Sequence, residues 1–427
     1  MAVLNTGSGV DGDAVVSVDT DLHTSSLVGR SHPDMVCYNV TFLASQSATL
    51  NAAPDGITAG DKVLLINLQG SGITQTDNVG NWEILDVAGV GDSSVSFVSP
   101  KVNIYGDNGS DNNIGTAESN QRVVIQRIPQ YNTLTVNNGY SLTCSAWNHD
   151  RYGVLAVMCK GVLTMNGQIG VSAKGYLGYG GRYGVGGSYG RTAYNGGYYS
   201  SNPNQGGGGS GAAQGRGGNA GYGTVGGGAR AGAEYGSANL NKIFFGSAGG
   251  STYASYSTHT GAPGGGIIIV IAGELNCNGT FASRGQYWET SPVDPDHSGG
   301  GAGGSILIKA GLVTMNAGSL DATGSWSTAA VGRIAVYYNT LNDSLSNSNP
   351  TAYEDSSLQL PFKLSGTITQ PSEIRVYTED WTFVDSQSLN SGNWEIGNLP
   401  SEGPFHVIAV PNASSENMIG YKSVTAL

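Results

Sequence analysis

The sequence predicts an all-β protein, and three observations carry that prediction. Glycine supplies 68 of the 427 residues, while Asp, Glu, Lys and Arg together reach only 12%, against roughly 25% charged residues in ordinary soluble domains. Gly, Asn, Ser and Thr disfavour helix interiors, and too few Glu, Lys and Arg remain to solvate helical faces. Apolar residues alternate with period two or form short runs bounded by Gly, Asn and Asp turns. A strand–turn–strand unit also repeats along the middle of the chain.

Residues 1–150 read as an N-terminal all-β domain. Residues 62–68 (KVLLINL) form a continuous apolar run that suits a buried strand, and 82–87 (WEILDV) and 94–98 (SVSFV) alternate as half-buried strands do. Residues 121–127 and 133–136 follow the same rule, with Gly-Asp, Asn-Gly and Asp-Asn pairs as turns between them.

Residues 151–345 form the repeat region. The first copy runs through 154–161 (VLAVMCKG), 163–167 (LTMNG) and Ile169. The second has 267–271 (IIIVI), 275–279 (LNCNG) and Phe281; the third has 306–311 (ILIKAG), 313–316 (VTMN) and Leu320. A fourth fragment, 332–338 (GRIAVYY), supplies a first strand only. One such unit cannot bury its own apolar face, so the units must stack. Met165, Cys277 and Met315 fall at one equivalent position, which suits a shared inward-facing site lined by sulfur. The four cysteines, Cys37, Cys144, Cys159 and Cys277, lack metal-type spacing and are too sparse for a disulfide framework, so buried free thiols are expected.

Between the first and second copies lies an insertion of Gly, Tyr, Ser, Ala and Asn, at about 175–265. Such composition reads either as a flexible linker or as packed structure. Tyr176, Tyr179, Tyr183, Tyr189, Tyr194, Tyr198 and Tyr199 favour the second, because rings at that density find surfaces to cover. Polyproline-II geometry points every backbone N–H and C=O sideways without an internal partner. Glycine lets neighbouring chains approach closely enough to satisfy those groups laterally. The runs 206–211, 215–218, 226–228, 264–266 and 299–304 would be rods of such a polyglycine-II bundle, with tyrosines closing its faces.

These runs, from about 175 to 304, resemble the polyglycine-sandwich adhesins at the tail-fibre tips of T-even-like phages. Residues 121–174, including 126–131 (QRIPQY), also resemble glycine-rich surface proteins of environmental bacteria and their phages. Residues 361–427 read as a separate module, with strands at 364–369, 373–377, 393–396, 406–410 and 419–425 at sandwich spacing. They resemble the small Ig-like or carboxypeptidase-regulatory-like modules that end many phage structural proteins.

A formal charge of −12 argues against a nucleic-acid partner. No apolar run approaches the ~20 residues of a membrane-spanning helix. The first residues lack the basic and apolar regions of a secretion signal, although the Lys-poor, Tyr-rich composition is that of an exposed surface protein. A virion protein made in the host cytoplasm resolves that conflict. The expectation is therefore a structural phage protein, a tail-fibre or adhesin component and not an enzyme, with no cofactor. Its expected partners are other virion proteins, further copies of itself (a trimer being one arrangement), and a host cell-surface glycan or outer-membrane protein. The alternatives are a bacterial surface or filament protein, a phage decoration protein, and a glycan-depolymerising tailspike.

Polyglycine offers no side chains, so recognition must lie in loops. The candidate receptor contacts are Tyr176, Tyr179, Tyr183, Tyr198 and Tyr199, with Trp288, Glu289, Asp294, Asp296 and His297 on a second loop. Glu289 with Asp294 or Asp296 would be the carboxylate pair of a glycan-cleaving enzyme, but the two prolines there mark an exposed connection, and no catalytic residue is assigned. The 7–12 string (GSGVDG) matches a dinucleotide fingerprint without the strand before it or the helix after it. Residues 107–113 (DNGSDNN), with Glu118 at the twelfth position, have the oxygen density of a calcium loop. Asn112 stands where that loop needs glycine, so a solvated polar loop is expected and no metal ligand is assigned.

Overall fold

The computed structural model describes residues 3–71, 75–117, 119–177, 218–227, 231–250, 252–254, 257–259, 261–286, 299–325, 329–360, 362–368, 371–378, 381–399, 405–411 and 420–424. These residues hold strands and no helix, as the composition requires. The chain divides into two units: Thr6–Ser356, and Met1–Asn5 together with Ser357–Leu427.

The larger unit begins with β1 (Gly12–Val16) and β2 (Thr20–Asp21). Six strands then close into an antiparallel barrel: β3 (Cys37–Ala44), β4 (Ser47–Leu50), β5 (Lys62–Gln69), β6 (Trp82–Gly91), β7 (Ser94–Phe97) and β8 (Arg122–Ile128). The barrel interior is filled by Val40, Leu43, Val63, Leu65, Leu85, Val95, Phe97, Tyr105, Val123 and Ile125. The chain continues through β9 (Gln130–Val136), β10 (Ser141–Thr143), β11 (Val154–Met165) and β12 (Gln168–Gly170). A short hairpin of β13 (Thr252–Ala254) and β14 (Ser257–His259) follows. The unit ends with β15 (Ile267–Cys277), β16 (Thr280–Ala282), β17 (Ser305–Thr314), β18 (Ser319–Asp321), β19 (Arg333–Asn342), β20 (Ser348–Asn349) and β21 (Tyr353–Asp355).

Two parallel sheets organise this unit as a stack of coils. One runs β1-β9-β11-β15-β17-β19-β21 and the other β2-β10-β12-β16-β18-β20. Equivalent residues sit side by side: Leu155, Ile268, Ile306 and Ile334 form one inward ladder, and Val157, Val270, Ile308 and Val336 the next. Met165 pairs with Cys277, and both are buried with Met315 in the same core, as the repeat alignment requires. The first half of each long strand is buried on both faces, which explains its unbroken apolar run. The barrel covers part of that outer side, at β11, where Gln126 Nε2 donates to Val154 O (3.4 Å), and at β17, where Lys309 Nζ sits 5.4 Å from the Trp82 ring centroid.

The stack is longer than the sequence repeats indicate. β1 with β2 and β9 with β10 are earlier coils, so the boundary drawn at residue 150 runs through the stack. The fourth copy supplies a short strand too, since β20 pairs with β18. β2 and β20 are two residues long, too short to show periodicity.

From β12 onward, the chain leaves each short strand on an excursion before returning to the next long strand, and apart from the β13–β14 hairpin the described residues of these excursions lie outside the strands. These excursions bond to one another laterally. Segment 299–304 is bonded to six others: Ala220 N to Gly300 O (3.0 Å), Ala302 N to Ser247 O (3.0 Å), Gly265 N to Ala302 O (2.9 Å), Gly304 N to Ser283 O (2.8 Å), Ser325 N to Gly301 O (3.1 Å) and Gly303 N to Ala330 O (3.0 Å). A strand in a sheet has two lateral neighbours at most, so this is a three-dimensional lattice. Close approach of backbones demands glycine here. A Cβ added to Gly303 would lie 1.8 Å from Ala322 O, and one on Gly249 would lie 1.9 Å from Gly299 O. The runs 206–211 and 215–217 lie outside the described residues.

The smaller unit holds β22 (Phe362–Ile368), β23 (Ser372–Thr378), β24 (Phe383–Leu389), β25 (Gly392–Leu399), β26 (Phe405–Pro411) and β27 (Gly420–Val424). β22 pairs with β25, and β24-β23-β26-β27 form an antiparallel sheet. Leu364, Ile374, Val376, Trp394, Ile396, Leu399, Phe405 and Val407 make its core. Among its residues, Leu4 N donates to Gln359 O (2.8 Å).

Candidate functional site

The glycine lattice holds the described residues that flank the two sequence-predicted loops. Tyr179, Tyr183, Tyr198 and Tyr199 fall between residues 177 and 218, and Trp288, Glu289, Asp294, Asp296 and His297 between 286 and 299; all lie outside the described residues. The residues at the loop bases are described and are bonded together. Gly250 N donates to Gly218 O (2.9 Å), Gly299 N to Gly250 O (2.9 Å), and Ala262 N to Gly299 O (3.1 Å). Gln286 N, at the start of the second loop, donates to Pro263 O (2.9 Å). Four described segments thus meet at Gly218, Gly250, Ala262 and Gly299 in one hydrogen-bonded cluster, which holds the C-terminal base of each candidate loop.

Tyr176 is the exception among the candidates, and the structure corrects its assignment. It is fully buried, with its hydroxyl donating to Leu68 O, and its ring packs edge-on to Phe245 (5.1 Å) and Trp147 (6.3 Å). Its backbone already belongs to the lattice, since Tyr176 N donates to Gly246 O (3.3 Å) and Gly264 N to Tyr176 O (3.1 Å). A ring at that position turns inward to seal the join between lattice and coils and is not available to a receptor. Tyr222 and Tyr235 do similar work. Tyr222 Oη and Ser305 Oγ are 2.6 Å apart, Tyr235 Oη donates to Phe245 O (2.9 Å), and Arg333 Nη2 donates to Tyr235 O (2.8 Å). Burial pushes the Tyr222 hydroxyl up to about 12 and that of Tyr235 higher still, so both act as neutral donors.

The 7–12 string is a structural lock. Gly7, Gly9 and Gly12 take φ of +81°, +77° and +76°, which presents Asp11 to Arg127. Arg127 Nη2 reaches both Asp11 oxygens (2.7 and 2.9 Å), its Nε donates to Asp61 Oδ1 (2.8 Å), and its Nη1 donates to Asp34 O (3.2 Å). Tyr131 Oη donates to Asp34 Oδ2 (2.8 Å). The guanidinium side chain is only 2% exposed. Sequence reasoning missed this cluster, whose members converge only through the fold. His23 is likewise structural: burial pushes its pKa down to about 4, its Nε2 donates to Gln126 Oε1 (3.0 Å), and its Nδ1 accepts from Ser145 N (3.1 Å).

The polar loop at 107–113 turns donors toward its carboxylates. Asp107 accepts from Ser71 Oγ (2.9 Å), Asn113 Nδ2 (2.7 Å) and Gln121 Nε2 (2.5 Å), and Asp111 pairs with Lys101 Nζ (2.5 Å). Glu118 lies outside the described residues. Among the described residues no group of three His, Cys, Asp or Glu is placed to hold a metal. The four thiols are free and buried. Burial pushes Cys37 up to about 12 and Cys159 and Cys277 to about 11, with Cys144 also raised, which suits core packing and not nucleophilic chemistry.

No protein-family profile and no curated protein matches the chain. Among solved structures, it is similar to the tailspike protein gp49 from Pseudomonas phage LKA1, with 11% identity over 91% of this chain and 88% of that one, at a TM-score of 0.17. The gp54 tailspike of Acinetobacter baumannii bacteriophage AP22, in complex with A. baumannii capsular saccharide, gives 11% identity over 81% and 69%, at 0.16. The Pseudomonas phage phi297 tailspike gp61 gives 11% over 94% and 86%, at 0.15. At these scores no residue correspondence is drawn. One expectation is nevertheless corrected. The expectation that the chain is not an enzyme is withdrawn, and its stated alternative, a glycan-depolymerising tailspike, stays open; the three matching structures all carry the name tailspike.

Proposed function

We propose that this chain is a structural and adhesive component of a bacteriophage tail, in which a polyglycine-II lattice holds recognition loops against the host surface. The observation that carries this reading is the cluster at Gly218, Gly250, Ala262 and Gly299, which ties the C-terminal bases of both candidate loops together. A lattice of backbone hydrogen bonds has few side chains to offer a ligand, so its use is positional. Tyr179, Tyr183, Tyr198, Tyr199, Trp288, Glu289, Asp294, Asp296 and His297 then serve as receptor contacts. Tyr and Trp suit that role, because each presents a rigid apolar face with a polar edge. In this reading the chain resides on the virion and assembles with copies of itself and other virion proteins. It meets a cell-surface glycan or outer-membrane protein, and the smaller unit, with two sheets around Trp394, is the Ig-like module of such proteins.

A combined Tyr198→Ser, Tyr199→Ser and Trp288→Ser variant tests this. Host-cell binding is expected to fall by about tenfold or more, as when several interface aromatics are lost. The melting temperature should stay within about 2 °C of the parent. A variant that binds host cells as the parent does would show that recognition lies elsewhere. A fall in melting temperature ahead of binding would make these rings structural.

A further inference from the structure

The smaller unit carries an aromatic surface that the loop reading does not use. Phe383 on β24 lies directly opposite Tyr377 on β23, and Tyr377 lies opposite His406 on β26. Their neighbours Val376, Phe405 and Val407 point into the core, so this row lies on the outer face of the four-stranded sheet. The turn from β23 to β24 brings Trp381 onto the same row. Its indole stacks on His406 at 4.2 Å with 19° between the planes, and its centroid is 5.9 Å from that of Tyr377. Tyr377 in turn meets Phe383 at 5.6 Å.

Two features separate this row from ordinary cross-strand packing. Trp381 and Phe383 are 53% and 54% exposed, so the rings remain largely in water. Trp381 also holds φ +65°, a conformation that costs a bulky residue energy and that glycine takes freely. The turn is pinned there by Thr378 N to Thr382 O (2.9 Å) and Trp381 N to Thr378 O (3.0 Å). An exposed tryptophan kept in a strained turn, with one face stacked on His406 and about half of its surface in water, has the character of a ligand platform.

We infer that Trp381, Phe383, Tyr377 and His406 form a saccharide-binding platform, on which the apolar face of a pyranose ring stacks. The class follows from shape and chemistry. Partly exposed rings in one row offer a few hundred Å² at most, short of the ~800 Å² per partner that a stable protein interface needs and close to the footprint of a short oligosaccharide. Arg375, on the same face of β23 and paired with Glu373 at 2.6 Å, gives the row a hydrogen-bonding edge for hydroxyls. The ligand class rests on the adhesive reading above, while the site is independent of the loops.

The test uses the full chain on an array of purified bacterial capsular and O-antigen polysaccharides. The parent should bind at least one of them. Trp381→Gly and Phe383→Ser should each weaken that binding by about tenfold or more, and Trp381→Tyr should retain it. Trp381→Gly should melt no lower than the parent, because glycine relieves the turn. The inference is overturned if the parent binds no polysaccharide, if Trp381→Gly binds as well as the parent, or if Trp381→Gly melts lower. Binding lost in the loop variant but kept in Trp381→Gly would uphold the loops and reject this platform. The reverse result would uphold the platform and reject the loops.

Discussion

Replacing Gly303 with alanine is expected to destabilise the larger unit by about 3 kcal/mol or more, at the upper end for overpacking. The added Cβ would lie 1.8 Å from Ala322 O, 2.5 Å from Ala322 C and 2.6 Å from Gly332 N. All three are backbone atoms, so no side chain can rotate away, and two neighbouring segments would have to separate. Their hydrogen bonds, Gly303 N to Ala330 O and Gly332 N to Ala322 O, go with them. Gly89→Ala on β6 is the control, since its Cβ would meet only Ser96 Oγ at 3.3 Å, and a loss under about 1 kcal/mol is expected. Denaturant midpoints of the two variants measure the difference. Equal midpoints would mean that the glycine segments are not packed side by side.

The second large effect is expected at Arg127. Arg127→Met removes the only cation within hydrogen-bonding distance of both Asp11 and Asp61 among the described residues, and leaves two buried carboxylates. Breaking a buried ion pair on one side costs about 3–5 kcal/mol. Burial raises the pKa of Asp11 and of Asp61, and losing Arg127 can only raise both further. A carboxyl whose folded pKa lies above its unfolded value binds its proton more tightly in the folded state. Its cost is therefore absent below the ordinary aspartate range and complete once the pH has risen through the raised value. The variant's deficit should consequently be larger at pH 8 than at pH 5. A deficit that is flat or reversed between those values would show that the carboxylates are not the source of the loss.

What the sequence disclosed and what it hid have physical causes. Strands β5 to β8 and the long strands of the coils were legible because their apolar residues are contiguous or alternate within one segment. The repeat also gave the sulfur site, since parallel in-register stacking places equivalent residues side by side, as with Met165 and Cys277. The coils formed by β1, β2, β9 and β10 were hidden, because a six-stranded barrel is inserted between β2 and β9. Glycine runs announced close backbone approach but not which segments approach which. Tyr176 was grouped with exposed tyrosines by composition, yet its neighbours Leu68 and Phe245 lie far away in the chain. Arg127 meets Asp11 across 116 positions and Asp61 across 66, separations that no local pattern encodes. The Trp381 platform is likewise assembled only when β23, β24 and β26 pair.

The central claim is that the glycine-rich excursions form an ordered, hydrogen-bonded scaffold, and amide hydrogen exchange tests it most directly. Gly246, Gly249, Ala262, Gly265, Ala302 and Gly303 each donate to a backbone carbonyl of another segment. Their amides should exchange as slowly as those of Ile269 and Leu307 in the centre of the coil sheet, because both sets open only when the larger unit unfolds. If these glycine and alanine amides instead exchange at the rate of an open turn such as Gly109, the segments are not bonded to one another and the scaffold does not exist.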